Sequence, residues 1–246
     1  MARAAIVFCV LVGAGCSNNP YVIGHYLGDG GLDDCGGAHA GAIVCTGFEA
    51  KDLASDWTQT VVENAGVIER STVRAHTGRG SLHASSTARA SVGVAAKDFP
   101  PLRSGDLYLR AYLFVPANLP TETMNIFFLG DDPNPGPGPF KGLDINLESG
   151  AVQVYSPQSR RETGSLMIPR QRWFCFRAHI AISADHGVVQ AFVDDKPALE
   201  ATDFVTLPAA GVHLLRAGVD WSSGQDAFFE IFIDDLVLDT KPVSCR

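Results

Sequence analysis

Short runs of alternating apolar and polar residues, each closed by a turn signal, restrict this chain more than any other feature of its sequence. In residues 107–115, Leu107, Leu109, Ala111, Leu113 and Val115 point one way and Tyr108, Arg110, Tyr112 and Phe114 the other, because successive side chains of a strand face opposite sides. Further strands are expected at 143–148, 151–155, 174–182, 187–193 and 228–238. Between them lie Glu148-Ser149-Gly150, Asp185-His186-Gly187 and Asp194-Asp195-Lys196-Pro197, residue types that favour tight turns. The run 131–139 (DDPNPGPGP) reads as a proline-rich surface loop, placed to form the rim of a ligand site. No long amphipathic helix breaks the pattern. Many short strands at regular spacing predict an all-β antiparallel two-sheet sandwich over 44–246.

The N-terminus reads as an export signal. Arg3 precedes nine apolar residues, Ala4 to Val12, and Gly13-Ala14-Gly15 then supply small residues before Cys16. The apolar stretch is too short to span a bilayer as a helix, which takes about 20 residues, but it suits a signal peptide over 1–15. Small residues directly before a cysteine resemble the bacterial lipobox, which implies lipidation of Cys16. Gly13 stands where that motif usually has Leu, and the same residues also suit ordinary secretion. Ser17 rather than Asp after the cysteine implies display on the outer membrane. Residues 16–43 hold seven glycines and no apolar period, so a flexible tether is expected there.

Past the signal and Cys16, four cysteines remain: Cys35, Cys45, Cys175 and Cys245. An even number in an exported chain favours disulfides over zinc, because no C-x-x-C or paired-His spacing is present. Cys45 opens the first strand and Cys245 closes the last, which favours a Cys45–Cys245 bridge, with Cys45–Cys175 as the rival. The net charge of −8 and the lack of any Lys/Arg block argue against a nucleic-acid partner. Phosphate-binding glycine loops are missing too, so no nucleotide is implied.

The order of several short segments resembles the concanavalin A-like, laminin-G-like jelly-roll family of lectins and glucanases. These are Cys45-Thr46-Gly47-Phe48-Glu49 with Trp57, Arg74 to Leu82, Leu107 to Tyr112, Arg172 to Arg177, Val193-Asp194-Asp195 and Ile233 to Leu238. The resemblance covers nearly all of 45–246 and implies a carbohydrate ligand. The opening Phe-Glu and closing Ile-Asp-Asp also resemble jelly-roll carbohydrate-binding modules. That likeness implies a structural calcium held by Glu49 and Asp234 or Asp235, completed by backbone carbonyls near 76–78.

A sugar ring stacks on aromatic groups while its hydroxyls bond planar polar groups. Read from the polar positions of the strands, the candidate ligand residues are Tyr108, Arg110, Tyr112, Asn146, Arg177, His179 and Trp221, with Asp144, Glu148, Trp173 and Asp220 nearby. A solvated sheet face would show the same alternation. The Glu-x-Asp-x-x-Glu strand of glucanases of this fold is missing, and so are the strand motifs Arg-x-Glu-Leu-Arg and Gln-Ile-His of polysaccharide lyases. The sequence therefore favours a non-catalytic, lectin-like surface lipoprotein. The alternatives are a polysaccharide lyase acting by β-elimination and a structural or protein-interaction lipoprotein without a sugar site.

Overall fold

The structure, a computed structural model, describes residues 39–87, 90–117, 123–132, 141–157, 160–222 and 228–245, together with 26–27, 31–32 and 35. The signal segment, Cys16 and most of the 131–139 loop lie outside the described residues. Among those described, no helix is long and apolar enough to cross a membrane.

Seventeen described strands, numbered in chain order, form two large antiparallel sheets and a small hairpin, β1 (Tyr26–Leu27) with β2 (Gly31–Leu32). The seven-stranded sheet runs β12 (Arg161–Met167), β11 (Ala151–Tyr155), β10 (Gly142–Glu148), β9 (Thr123–Gly130), β16 (Val212–Ser222), β7 (Val92–Leu102), β4 (Gln59–Glu63). The eight-stranded sheet runs β15 (Lys196–Phe204), β14 (Gly187–Val193), β13 (Trp173–Ile182), β8 (Gly105–Phe114), β17 (Phe229–Asp239), β6 (Ser81–Ser86), β5 (Val67–Ser71). Strand β3 (Val44–Thr46) pairs with the end of β17 and brings the opening and closing segments of the domain together. This is the all-β two-sheet sandwich expected from the alternation.

The apolar faces of the two sheets meet in one core. Leu107, Leu109, Ala111 and Leu113 of β8 are fully buried there. Phe127 of β9 stacks on Phe176 of β13 with ring centroids 5.8 Å apart, joining the two layers. Turn chemistry holds where it was expected: Asp194 and Asp195 both take positive φ (48° and 62°), the left-handed pair a two-residue hairpin requires.

The disulfide pairing differs from the expectation. Cys35 bonds Cys45, and Cys175 bonds Cys245. Cys45 sits on β3, which lies beside β17, but the chain continues past β17 and carries Cys245 on to the outer face of β13. Val243 and Ser244 are held there as well, their carbonyls accepting from Arg177 and Arg110. The Cys35–Cys45 bridge and a 3.3 Å contact between His39 and Asp239 tie the chain to the domain from Cys35 onward, inside the stretch read as tether. Two disulfides are the mark of an exported protein in an oxidising compartment. Non-reducing peptide mapping should recover these two pairs. Cys245→Ser, which opens a 70-residue loop, should lower unfolding stability in urea by about 2–4 kcal/mol.

Candidate functional site

The seven candidate ligand residues divide between the two sheets. Tyr108, Arg110, Tyr112, Arg177 and His179 share the outer face of the eight-stranded sheet, where β8 and β13 pair Tyr108 with His179, Arg110 with Arg177 and Tyr112 with Cys175. Asn146 and Trp221 belong to β10 and β16 of the other sheet.

On the eight-stranded sheet most of the polar groups are engaged by the protein itself. Arg110 is 1% exposed, and its guanidinium donates to the Asp235 and Ser244 carbonyls. Tyr112 is covered by the His76 ring, stacked 3.5 Å away. His179 contacts Asp106 at 2.7 Å and Gln190 at 3.2 Å, and Arg177 pairs with Asp195. What remains open is a hollow of about 190 Å³ lined by Tyr108, Arg177, His179, Gln190, Phe192 and the 242–243 segment.

The carboxylates suggested for calcium are likewise occupied by donors. Asp234 accepts from the backbone N–H groups of His76, Thr77 and Asp235. Asp235 contacts the His76 ring and the Thr77 hydroxyl, and Glu49 accepts from the N–H groups of Arg79 and Gly80. Asp234 and Asp235 fasten residues 76–77 to β17, and Glu49 fastens residues 79–80 to the segment that follows β3. N–H donors stand where a calcium shell needs oxygens, so this set does not fit the ion.

The outer face of the seven-stranded sheet is different. Its side chains come from the strands at the middle of the sheet, and two irregularities aim them. Opposite β10, Asn125 pairs with Asn146 and Phe127 with Ile145, so Ile126 is an extra residue in β9. Such a bulge shifts the alternation. It sends both Ile126 and Phe127 into the core and turns Asn125 and Phe128 outward. In β16 the register shifts between Ala217 and Trp221, with Gly218 at φ 133°. A Cβ at Gly218 would stand 2.3 Å from the Gly93 carbonyl oxygen, so only glycine fits this crossing.

Two rows of side chains cross the strands as a result. One runs Thr163, Gln153, Asn146, Asn125 to Trp221 in register. Its amides form a ladder: Asn146 donates to Gln153 at 3.0 Å, and Gln153 donates to Thr163 at 3.1 Å. The other row runs Arg161, Tyr155, Asp144, Phe128 to Arg216. Arg216 pairs with Asp220 at 2.8 Å.

Two features characterise this face. The Asn125 carbonyl oxygen and the Arg216 Nε–H are buried with no hydrogen-bond partner among the described residues, an arrangement that costs about 1–3 kcal/mol per group. The two carboxyls are also shifted. Burial pushes Asp144 up to about 7, the Asp220 charge adds to the rise, and a hydrogen bond with Asn125 opposes it. Burial likewise pushes Asp220 up to about 6, with Arg216 pulling it down and Glu63 pushing it up. Both carboxyls on this face are therefore raised toward neutral pH.

Asp144 and Asp220 were visible as polar positions in the sequence. Asn125, Gln153, Tyr155 and Arg216 were not singled out. The sequence signals that pointed toward this face were the Asp144-x-Asn146-x-Glu148 spacing and the Asp220-Trp221 pair.

No family model matches the chain, and no curated protein matches it. Among solved structures, the endo-β-1,4-glucuronan lyase from the fungus Trichoderma reesei superposes with a TM-score of 0.60 at 14% identity, over 75% of this chain and 91% of that one. Cellulose induced protein Cip1 gives 0.60 at 16% identity, over 79% and 98%. Alginate lyase Aly36B gives 0.52 at 15% identity, over 76% and 88%. At these identities the shared property is the fold, a concanavalin A-like jelly roll.

The Asp144 shift has a consequence for stability. The group titrates near 3.8 when unfolded and near 7 when folded. Between those values the folded state binds the extra proton, so stability falls as pH rises from about 4 to 7. The gap of about three units is worth at most ~4 kcal/mol. The melting temperature should be higher at pH 5 than at pH 8, and Asp144→Asn should reduce that difference. An unchanged pH dependence in the variant would contradict the assignment.

Proposed function

We propose that the chain is a polysaccharide-active protein that cleaves a uronate-containing polysaccharide by β-elimination on the outer face of the seven-stranded sheet. The observation that carries this reading is the unequal carboxyl pair, Asp144 and Asp220, beside the unpartnered Arg216 Nε–H and Asn125 carbonyl. The fold shared with a glucuronan lyase and an alginate lyase supports it.

The roles follow from charge. Between about pH 6 and 7 Asp144 is neutral and the Asp220 charge is balanced by Arg216, so an anionic sugar meets no net repulsion. The Arg216 Nε–H bonds the uronate carboxylate and stabilises the negative charge that develops next to it. The Asp220 carboxylate removes the proton from the carbon bearing that carboxylate. The electron pair forms a carbon–carbon double bond as the glycosidic oxygen on the neighbouring carbon departs. Asp144 gives that oxygen its proton. Asn125, Asn146 and Gln153 bond the ring hydroxyls.

A second reading, glycan binding without cleavage, is favoured by the Asn146–Gln153–Thr163 ladder and by Trp221, 41% exposed in the same row. Stacking and hydrogen bonding alone make a binding site. In either reading the domain works outside the cytoplasm. Lipidation at Cys16 would hold it to the cell envelope.

Incubation with glucuronan, alginate and pectin should yield the ultraviolet absorbance of an unsaturated uronate, with a bell-shaped rate between about pH 6 and 7. Asp220→Asn and Asp144→Asn should each lower kcat by about 10²–10⁴, and Arg216→Ala should both lower kcat and raise KM. Glycan binding with no unsaturated product from any of the three would leave the lectin reading in place of the lyase.

A further inference from the structure

At the β4 and β5 edges of the sandwich lies a cavity of about 550 Å³, whose lining includes Lys51, Leu53, Trp57, Gln59, Ile68 and Arg70. We infer that this cavity is a second saccharide subsite, in which Lys51 holds a uronate carboxylate and the Trp57 indole N–H donates to a ring oxygen or hydroxyl. It rests on the reading of the seven-stranded sheet as a polysaccharide site, whose chain it would extend.

Trp57 is 3% exposed, yet its Nε1–H has no hydrogen-bond partner among the described residues. The residue is firmly held. Its ring stacks on Phe48 with centroids 6.1 Å apart, and its backbone N–H donates to Leu53. A buried donor fixed in place and unpaired needs an acceptor supplied from elsewhere.

The cavity lining carries two cations, Lys51 and Arg70, and two carboxylates, Asp52 and Glu69, and Lys51 is the cation left to meet an anion. Asp52 accepts from the Ser55 backbone and hydroxyl, and Glu69 is paired with His83. Arg70 is turned toward the Phe48 carbonyl and Glu49. Lys51 is exposed and makes no ion pair among the described residues. Leu53, Ile68 and Trp57 supply apolar surface and Gln59 an amide, which suits a ring with apolar faces and polar edges.

The cavity also lies along the sheet from the carboxyl pair. Glu63 of β4 is close enough to Asp220 to raise its pKa, and Gln59 lines the cavity four residues earlier on the same strand, about 13 Å away at strand rise. From β16 to β4 is two strand spacings, roughly 10 Å. One polymer chain crosses that distance.

The test uses the full chain, a glucuronan hexasaccharide and the indole N–H signals of Trp57, Trp173 and Trp221 in a ¹H–¹⁵N spectrum, with Trp57→Phe identifying the first. In the uncleaving Asp220→Asn protein the Trp57 signal should move on titration. It should also move in Arg216→Ala, where the sheet site is weakened. Lys51→Met, an exposed change that leaves the fold intact, should weaken hexasaccharide affinity about tenfold and leave disaccharide affinity at the sheet unaltered. A Trp57 signal indifferent to the hexasaccharide in both proteins overturns the subsite, even if the sheet cleaves polymer. A moving signal, together with no unsaturated product from the unsubstituted protein, sinks the lyase reading and leaves the subsite standing.

Discussion

The contact between the two apolar sheet faces governs everything else in this molecule. Phe127 on Phe176 lies within a core that draws residues from nearly every strand. Once those faces are committed, each polar side chain must leave through the outer side of its own sheet. Strands flanked by a neighbour on each side then carry the polar groups most enclosed. That is why Asn125, Arg216 and Gln153 are buried although none belongs to the core. Burial in turn raises the Asp144 and Asp220 pKa values. The chemistry of the face is thus a by-product of where the core lies.

The two outer faces use that constraint in opposite ways. On the eight-stranded sheet the guanidinium of Arg110 is satisfied by backbone carbonyls, and the Asp234–Asp235 pair is spent on the 76–77 loop. The Cys175–Cys245 bridge fixes the chain terminus on that face. Its polar groups hold segments in place. On the seven-stranded sheet the corresponding groups are only partly used. Asn125 and Arg216 each keep an unpaired atom. Arg177 on the eight-stranded face keeps an unpaired Nε as well, so what sets the seven-stranded face apart is the pair of raised carboxyls beside its unpaired groups.

How far the sequence could be read follows from the same geometry. Strands β13 and β14, with one wet face, show clean alternation, and β8 alternates in residue type although both its faces are largely buried, so their positions were legible. Strand β9 is buried at every residue, and β16 nearly so. A strand enclosed on both sides has no polar phase to detect. Fragments such as Met124 to Gly130 therefore carried no period-two signal. The disulfides were misjudged for a related reason: the sequence places Cys45 and Cys245 at the two ends of the domain, but not the turn that carries the last residues across to β13.

The bulge at Ile126 accounts for the rest. Without the extra residue, Asn125 would share a face with Phe127 and point into the core, where an unpaired amide is expensive. With it, Asn125 stands opposite Asn146 and beside Asp144, and Phe128 fills the space between Asp144 and Arg216 in the second row. Strict alternation applied to 124–129 puts both Asn125 and Phe128 on the wrong side relative to one another. The bulge in β16 at Gly218 acts on the facing strand and lets Asp220 turn back to Arg216, four residues earlier. A one-residue insertion in one strand and a left-handed glycine in its neighbour convert two ordinary core strands into the platform that brings the carboxyls together. The extra residue in β9 leaves no mark in composition or spacing, because it is visible only against the strand it fails to match; Gly218, a glycine inside a strand, is the one mark that the β16 irregularity leaves.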